Sequence, residues 1–329
     1  MSDRPADTIM ELSMGFTIPR ALHVVTQLGI PDAIGETPRN IDDLAAATGT
    51  NSGILNRSMR LLAAHGVFEK NGTSYAHSPA SRLLRSDHPQ SMRSWVVMQG
   101  LPVLWRIWEH LDYSLKTGRS ASEALPNGGF WEYMTGNPEA GRLFNDAMTN
   151  KSRAQTAGIL AAYDFSRFKT LADIGGGNGY LLKAVLEATP GLHGVLFDLP
   201  TVIDQNSAAA TERLKLQGGD FFKSDLPVCD AYLLMQILHD WSDEDAERIL
   251  KAIRRAAASN AKLLIAEWLI PEDGRPNWTL LIDMIIMAQA TGKERTVAEF
   301  KDLLGRAGFR LDRVIEAGFN TFILESSAV

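Results

Sequence analysis

Apolar and polar residues are spaced differently in the two halves of the chain, and the change falls near residue 150. In residues 8–30 the apolar positions recur at helical spacing, and Pro19 marks a break or a kink. Residues 90–160 continue as amphipathic helices, with an interruption at the Pro- and Gly-rich segment 125–130. The first half is therefore predicted to be largely helical.

The segment 40–78 adds a predicted β-hairpin to these helices. Its pattern indicates a helix, a turn at Gly49, a second helix and a hairpin around the Asn-Gly pair at 71–72. This order of elements is that of a winged helix-turn-helix. A DNA-binding regulator is therefore one alternative, although the second helix offers little positive charge beyond Arg57 and Arg60.

From about residue 168 the pattern changes to short apolar strands that alternate with helices. Such alternation is typical of a parallel sheet with helices on both faces, and ligands of such sheets bind beyond the carboxyl ends of the strands. The predicted strands are TLADIGG (170–176), GVLFDLP (194–200), LKLQGGD (214–220), AYLLMQIL (231–238), AKLLIAEWLI (261–270), FRLDRVI (309–315) and FNTFILES (319–326).

Composition places the chain among soluble globular proteins. Of its 329 residues, 45% are hydrophobic and 22% are charged, which suits one large domain or two moderate ones with hydrophobic cores. The net charge of −6 argues against a nucleic-acid partner, because broad binding to nucleic acid requires clustered Lys and Arg.

Three features predict a cytoplasmic protein without a membrane partner. Cys229 is the single cysteine, so no intrachain disulfide is expected. The N-terminal residues lack the basic region and the apolar run of a signal peptide. The most apolar later stretch, residues 279–288, is too short to cross a bilayer and contains Asp283.

The first strand of the second half ends in a glycine-rich turn, DIGGGNG, which begins with Asp173. Glycines at a strand-to-helix turn let the backbone approach a ligand closely. Their spacing, G-x-G-x-G, runs from Gly175 through Gly177 to Gly179. A dinucleotide fingerprint would place its third glycine or alanine at Tyr180, so that motif is not matched. For the turn taken alone, tight packing is the alternative explanation.

Acidic residues lie at the ends of the next two strands. Asp198 ends the second strand, where a carboxylate can accept both hydroxyls of a ribose. The third strand ends in GGDFF, in which Asp220 can bind a polar edge of adenine and Phe221 its face. With the glycine-rich turn, these residues favour a nucleoside without a pyrophosphate, such as S-adenosylmethionine. The predicted cofactor contacts extend to the neighbouring Leu199 and Gly219.

The segment MQILHDWSDEDAERIL (235–250) runs from a buried strand into an acidic amphipathic helix. Ser242 and Asp245 resemble a helix capping box, which explains the acidic run. Capping does not explain His239 or Asp240. Of the seven histidines, His239 alone is predicted at the carboxyl end of a strand in the second half. A lone histidine is more often structural, but this position favours a catalytic role.

Six motifs follow one another through the second half: LADIGGGNG, VLFDLP, GGDFF, LHDWSDEDAERIL, LLIAEWLIP and GKERTVAEFKDLLGRAGF. Their order and spacing resemble the plant-type small-molecule O-methyltransferases. That family includes caffeic acid, flavonoid and hydroxyindole methyltransferases and many bacterial natural-product enzymes. The resemblance covers nearly the whole chain, including the winged-helix segment and FNDAM (144–148).

The resemblance implies the class I methyltransferase fold, a Rossmann-like α/β domain whose seven-stranded sheet ends in a reversed hairpin. It also implies an N-terminal, all-helical winged-helix domain that forms a homodimer and caps the partner's pocket. On this basis we expect a dimerisation domain at residues 1–90, a helical linker and substrate cap at 91–160, and an S-adenosylmethionine-binding catalytic domain at 161–329.

Residue by residue, the resemblance implies a catalytic group. His239 matches the general base of the family, and Glu267 and Glu294 match the two carboxylates that flank it. The alternatives are that Glu267 is a surface acid at a strand end and that Glu294 pairs with Lys293 or Arg295.

The resemblance implies further cofactor contacts. Ser152 matches a contact of the methionine carboxylate, and Asp240 and Trp241 match residues near the cofactor. Met235 stands where relatives often carry Lys or Arg near the adenine. We therefore expect Met235 to lie beside the cofactor but to lack the polar contact with adenine that Lys or Arg would make.

The acceptor is expected to be a small, flat aromatic molecule. Phe144 and Met148 match pocket-wall positions of the family. An apolar lining with adaptable methionines suits such an acceptor. Asp283, Met284 and Met287 are further candidates for this lining, although methionine at helical spacing is more often part of a core.

Methyl transfer from a sulfonium requires alignment of the acceptor oxygen with the methyl group and removal of the phenolic proton. A free phenol has a pKa near ~10, and an unperturbed histidine has a pKa near ~6.5. A carboxylate on the far ring nitrogen fixes the tautomer and strengthens the base, a role that suits Glu267 and Glu294. No metal is expected, because Cys229 is alone and no histidines lie at ligand spacing.

Other chemistry on the same fold stays open at this point. Proteins of this fold include decarboxylases, hydroxylases and pericyclases that bind the cofactor without transferring its methyl group, and also C- and N-methyltransferases. His239 with two glutamates favours O-methylation. Formation of S-adenosylhomocysteine (SAH) together with a methylated product distinguishes these classes.

Overall fold

The computed structural model describes residues 4–126 and 128–329, which divide into two compact units. The first unit holds the chain up to Arg106 together with Phe130–Asn150. The second unit holds Ile107–Gly129 and Lys151–Val329. None of the helices among the described residues combines the length and the apolar character needed to span a bilayer.

The helices are α1 (Pro5–Met14), α2 (Thr17–Gln27), α3 (Ile30–Ile34), α4 (Ile41–Thr48), α5 (Ser52–Ala64), α6 (Pro79–Arg82), α7 (Arg93–Gln99), α8 (Pro102–Glu109), α9 (Leu111–Thr117), α10 (Phe130–Gly136), α11 (Pro138–Ala162), α12 (Tyr180–Ala188), α13 (Pro200–Gln205), α14 (Asp243–Ala256), α15 (Trp278–Gln289) and α16 (Val297–Arg306).

The strands are β1 (Arg39–Asn40), β2 (Phe68–Asn71), β3 (Ser74–His77), β4 (Thr170–Ile174), β5 (His193–Asp198), β6 (Leu214–Gly218), β7 (Ala231–Met235), β8 (Lys262–Trp268), β9 (Phe309–Glu316) and β10 (Thr321–Ala328). Short 3-10 turns occupy Ala121–Ala124, Ser207–Ala209 and Leu238–Asp240.

The predicted winged-helix order is confirmed in the first unit. The Asn51 side chain caps α5 by accepting a hydrogen bond from the Ile54 backbone, and Gly49 ends α4 in the left-handed conformation. β2 and β3 form the predicted hairpin, and β1 adds a third strand that the pattern did not predict. Leu44 and Met59 lie in the fully buried core beneath it.

The predicted position of the break in the first helical segment is wrong. The chain leaves α1 at Gly15, whereas Pro19 lies inside the first turn of α2. Proline is tolerated there because backbone N–H groups in a first helical turn have no intrahelical partner. Residues 8–30 therefore form parts of three helices rather than one kinked helix.

The second unit is built on one seven-stranded sheet of order β6-β5-β4-β7-β8-β10-β9. The first five strands are parallel, and β10 runs antiparallel to both β8 and β9. The prediction of a class I methyltransferase sheet that ends in a reversed hairpin is confirmed. Buried apolar clusters pack on the sheet, one including Ile249 and Phe300 and another including Leu182 and Val185.

Parallel order places the carboxyl ends of five strands along one edge of this sheet. Asp198, Gly218, Met235 and Trp268 are the last residues of β5, β6, β7 and β8. Ligands of open parallel sheets bind along this edge. The segments predicted to bind a cofactor and to carry catalysis therefore leave the sheet on the same side.

Candidate active site

The glycine-rich turn after β4 has a backbone conformation that residues other than glycine adopt only with strain. Gly175, Gly177 and Gly179 have φ angles of 72°, 59° and 70°, in the left-handed region. At Gly176, an added Cβ would lie 2.5 Å from the Asp173 carboxylate. The turn therefore needs glycine for its backbone conformation and for its close approach to Asp173.

Two carboxylates border this turn. Asp198 accepts hydrogen bonds from the backbone N–H groups of Gly177 and Leu199, each at 2.7 Å. Asp173 is buried, and burial, with the nearby charge of Asp198, raises its pKa to about 7. Asp198 is only half-buried, so its remaining lone pairs can reach a ligand. This arrangement fits a ribose with two hydroxyls.

The segment after β6 contributes aromatic rings and an acid. Asp220 accepts a hydrogen bond from the Phe222 backbone at 2.9 Å and pairs with the exposed Lys223. The Trp241 ring lies edge-on to Phe221 and Phe222, with centroids 5.7 and 4.9 Å away. The structure thus brings Asp220, Phe221 and Trp241 together, as a site for a purine requires.

Gly219, Met235 and Ser152 complete the predicted cofactor positions. A Cβ at Gly219 would lie 2.7 Å from the Phe197 ring, so the turn after β6 needs glycine there. Met235 is half-buried at the end of β7. Ser152 is half-buried on α11, directly after Lys151.

His239 lies in a 3-10 turn that follows β7 and is 7% exposed. Its Nδ1 is 2.9 Å from Glu294 Oε1 and 3.9 Å from Glu267 Oε2. Its Nε2 is 3.6 Å from Asp240 Oδ1. The three predicted catalytic side chains therefore meet, although they come from three separate segments.

Glu267 anchors the turn that carries His239. It is fully buried, and its Oε1 accepts hydrogen bonds from the backbone N–H groups of Ile237 and Leu238, at 3.0 and 2.9 Å. Its Oε2 accepts a further one from the Gln236 side chain at 3.0 Å. Glu267 is therefore not a surface acid at a strand end.

Arg295 fixes the same turn from the other side. Its guanidinium is buried and donates to the carbonyl oxygens of Leu238 and Trp241, at 2.8 and 2.9 Å, and to the Asp243 carboxylate. Sequence reasoning considered Arg295 only as a partner for Glu294. Its role in holding the turn that carries His239 had no local sequence signal, because these partners lie more than 50 positions away.

The backbone before Glu294 packs directly on His239. A Cβ at Gly292 would overlap the His239 carbonyl oxygen, so only glycine fits this approach. Lys293 pairs with Asp243 and Glu299 rather than with Glu294. Glu294 is therefore left to face His239.

These buried charges shift the pKa values of one another. Burial disfavours the charged imidazolium of His239, but the carboxylates of Glu267, Glu294 and Asp240 outweigh burial and raise the pKa of His239 to about 9. Burial raises the pKa of Glu267 above its ordinary value, although the charge of His239 opposes this shift. The protonation of His239 and that of Glu267 therefore depend on each other.

The same three side chains also have metal-ligand geometry. Among the described residues, His239, Glu267 and Glu294 each offer a ligand atom within 4.8 Å of the others. Sequence reasoning found no ligand spacing, because the three residues lie far apart along the chain. The Nδ1 of His239 and both oxygens of Glu267 already take part in the hydrogen bonds described above.

Lys151 and Gln236 are polar neighbours of this assembly that the sequence did not reveal. Lys151 Nζ donates to Gln236 Oε1 at 3.1 Å and lies 4.7 Å from the centroid of the Trp268 ring. Gln236 has a φ of 53°, an uncommon left-handed conformation for a residue with a side chain. This unusual backbone conformation, between β7 and His239, could not be read from the sequence.

The predicted acceptor-lining residues fall in both units. Phe144 lies in the first unit, where its ring is 5.7 Å from Phe130 and 5.6 Å from Trp131. Met148 is half-buried on the same helix, α11.

On α15 of the second unit, Met284 is exposed and Met287 is half-buried. Asp283 accepts a hydrogen bond from the Glu294 backbone N–H at 2.9 Å. Asp283 therefore supports the segment that carries Glu294.

Comparison with known protein families identifies the class of this protein. Residues 108–310 match the O-methyltransferase domain, and residues 10–87 match the O-methyltransferase dimerisation domain. The chain belongs to this O-methyltransferase family, and it is an S-adenosylmethionine-dependent enzyme.

Individual relatives are similar over nearly their whole length. The mitomycin biosynthesis 6-O-methyltransferase of Streptomyces lavendulae is 36% identical over 319 residues, which cover 95% of this chain and 91% of that protein. An 8-amino-8-demethylriboflavin N,N-dimethyltransferase of Streptomyces davaonensis is 35% identical, covering 95% and 92%. The SAH-bound structure of CalO1, a methyltransferase in calicheamicin biosynthesis, matches with a TM-score of 0.92 and 33% identity over 100% of both chains.

Proposed function

We propose that this enzyme methylates a phenolic hydroxyl of a small aromatic natural product and that His239 is the general base. The observation that carries this proposal is the burial of His239 against Glu267 and Glu294 at the carboxyl edge of the sheet. Acids and bases with perturbed pKa values in such positions are typical of catalytic sites. Aromatic acceptors are the first class to test, because one relative is an 8-amino-8-demethylriboflavin N,N-dimethyltransferase.

In the proposed mechanism, Nδ1–H of His239 donates to Glu294 Oε1, which leaves Nε2 to take the phenolic proton. Glu267 holds the backbone of the turn and adds negative charge that favours the resulting imidazolium. Because the pKa of His239 is raised to about 9, it lies close to that of a phenol, near ~10, so proton transfer is nearly balanced.

The raised pKa also has a consequence for pH dependence. The base must be neutral to act, whereas a pKa of about 9 keeps most of His239 protonated at neutral pH. We therefore expect kcat/KM for an ordinary phenol to rise with pH until about 9.

The cofactor site is proposed along β4, β5 and β6. Bound there, S-adenosylmethionine supplies an electrophilic methyl group on its sulfonium. The glycine-rich turn with Asp173 offers backbone and carboxyl contacts, and Asp198 offers acceptors for the ribose. The remaining proposed contacts are Ser152, Leu199, Gly219, Asp220, Phe221, Met235, Asp240 and Trp241.

We also propose that the enzyme is a homodimer through its N-terminal part. Residues 10–87 match a dimerisation domain, and the first helix and the residues after it expose large apolar side chains that a second copy can cover. These side chains are Ile9, Met10, Leu12 and Met14 on α1, and Phe16 after it. In this proposal residues 1–90 dimerise, 91–160 cap the substrate with Phe144 and Met148, and 161–329 form the catalytic domain.

The reaction is proposed to need no metal, because His239 Nδ1, Glu294 Oε1 and both carboxylate oxygens of Glu267 already take part in hydrogen bonds. Activity should then survive dialysis against a strong chelator. Loss of activity that Zn²⁺ or Mg²⁺ restores would instead support the metal-ligand geometry.

N-methylation is the second candidate, because one relative of similar identity is an N,N-dimethyltransferase. The deciding experiment incubates the enzyme with S-adenosylmethionine and matched panels of phenols and aromatic amines. We expect SAH and methyl ethers from the phenols. SAH formation with amines alone would favour the second candidate, and cofactor binding without methylation of any acceptor would overturn the proposal.

A further inference from the structure

Lys151 is a cation that the mechanism above does not use. It lies on α11, is half-buried, and its Nζ donates to the neutral amide of Gln236 at 3.1 Å. Among the described residues, no carboxylate forms a salt bridge with it. An ammonium group has three donors, and Gln236 accepts one of them. The remaining donors of Lys151 can bind an anion.

The charge of Lys151 is already costly in its present surroundings. Desolvation lowers the pKa of Lys151, although the negative fields of Asp240, Glu267 and Glu294 oppose this shift. The Trp268 ring, 4.7 Å from Nζ, adds a cation–π contact to these longer-range fields. A ligand anion that reached Nζ would therefore replace a weak contact with a charge-assisted hydrogen bond.

Two side chains connect Lys151 to the proposed base. The Gln236 side chain accepts a hydrogen bond from Lys151 and donates one to Glu267 Oε2 at 3.0 Å. The backbone of Gln236 is left-handed where its side chain makes these two bonds. The Trp268 ring faces Lys151 and also lies edge-on to the His239 ring, with centroids 6.4 Å apart. An aromatic acceptor whose hydroxyl reaches His239 thus has its other substituents within reach of Lys151.

We propose that Lys151 binds an ionised oxygen of the acceptor, so that the preferred substrates are hydroxyarenes that also carry a carboxylate. This inference rests on the proposed function, because it requires the acceptor hydroxyl to lie at His239. Lys151 then selects and orients the acceptor through a group other than the one that is methylated. The competing explanation is that Lys151 only supports the charge balance of Glu267 and Glu294.

The test compares hydroxybenzoates and hydroxynaphthoates with their carboxamides, which keep the shape but lose the charge. For the wild type, we expect kcat/KM for the acids to exceed that for the amides by about 10- to 100-fold, the usual effect of one charge-assisted hydrogen bond. Lys151→Met should remove most of this preference through KM, and Lys151→Arg should retain part of it. Lys301→Met, an exposed lysine on α16, is the matched control and should keep the wild-type ratio.

Three results would overturn the inference. The first is an equal preference for acids in the wild type and in Lys151→Met. The second is an equal loss of acids and amides in that variant, which is what a structural role predicts. The third is a wild type that methylates neutral phenols but no acid. That last result leaves the proposed function standing, whereas a wild type that methylates nothing overturns the proposed function itself.

Discussion

The glycine-rich turn after β4 and the ionisable group around His239 lie along the same edge of the sheet but are built in different ways. The turn is contiguous, and its backbone geometry comes from residues 173–179. The His239 group is assembled from the segments 236–239, 267–268 and 292–295, with Lys151 added from α11. One region depends on local conformation, and the other depends on tertiary contacts between distant residues.

This difference determines how each region responds to change. At the glycine-rich turn, removal of one contact should lower the affinity for the cofactor only in part, because the other contacts persist. A buried charge group responds as a unit, since the charge on His239 and the charge on Glu267 each shift the pKa of the other. Substitutions at the two regions should therefore separate cofactor binding from turnover.

The largest effect is expected for His239→Ala. Turnover of an ordinary phenol should fall by about 10²–10⁴, the range for loss of a positioned general base, while affinity for SAH stays near the wild type. Steady-state kinetics and calorimetry measure the two quantities. The defect should shrink for acidic phenols, whose hydroxyl ionises without help.

His193→Ala is the matched control, because His193 is exposed at the opposite end of β5. It should behave as the wild type. Near-normal turnover of an ordinary phenol by His239→Ala would contradict the assignment of the base, and equal loss for acidic and ordinary phenols would indicate a positioning role.

The second-largest effect is expected for Asp198→Ala, beside the glycine-rich turn. Asp198→Ala removes acceptors for the ribose, and each charge-assisted hydrogen bond is worth roughly 1.5–3 kcal/mol. Affinity for SAH, measured by calorimetry, should fall at least about tenfold. Asp204→Ala, an exposed acid on α13, is the control. Unchanged affinity in Asp198→Ala would show that the ribose is bound elsewhere.

The smallest effect tests whether backbone packing supports the buried group. Gly292→Ala adds a Cβ that overlaps the His239 carbonyl oxygen, so the segment carrying Glu294 must shift. Such overpacking costs about 1–3 kcal/mol, which thermal unfolding should show together with lower turnover. Gly191→Ala is the control, since a Cβ at Gly191 meets nothing within 4 Å. Equal stability and turnover in the two variants would refute the packing argument.

The glycine-rich turn could be predicted from the sequence because its conformation depends on residues that are close together in the chain. Alternating strands and helices predicted the sheet, and the DIGGGNG spacing predicted the turn, since glycine is required where φ is positive. The break in the first helical segment was predicted at Pro19 and lies at Gly15, because a proline in the first turn of a helix does not interrupt it.

Only part of the buried group could be predicted: the position of His239 at a strand end indicated a catalytic role, and resemblance to a family added Glu267 and Glu294. Lys151, Gln236 and Arg295 have no pattern that separates them from ordinary polar residues. Their significance arises from tertiary contacts: a lysine that donates to a neutral amide, a glutamine in the left-handed conformation and an arginine that holds a turn. Likewise, the raised pKa of His239 depends on burial and on carboxylates that are distant in sequence.

The most direct test of the account is the pKa of His239 itself. NMR titration of the protein with ¹⁵N-labelled histidine, with His239 assigned from the spectrum of His239→Gln, measures it without an acceptor. We expect a pKa of about 9 in the wild type and a lower pKa in Glu294→Gln, because one of the carboxylates that stabilise the imidazolium is then neutral. A wild-type pKa at or below the ordinary ~6.5 would contradict the coupling of His239 to its buried carboxylates.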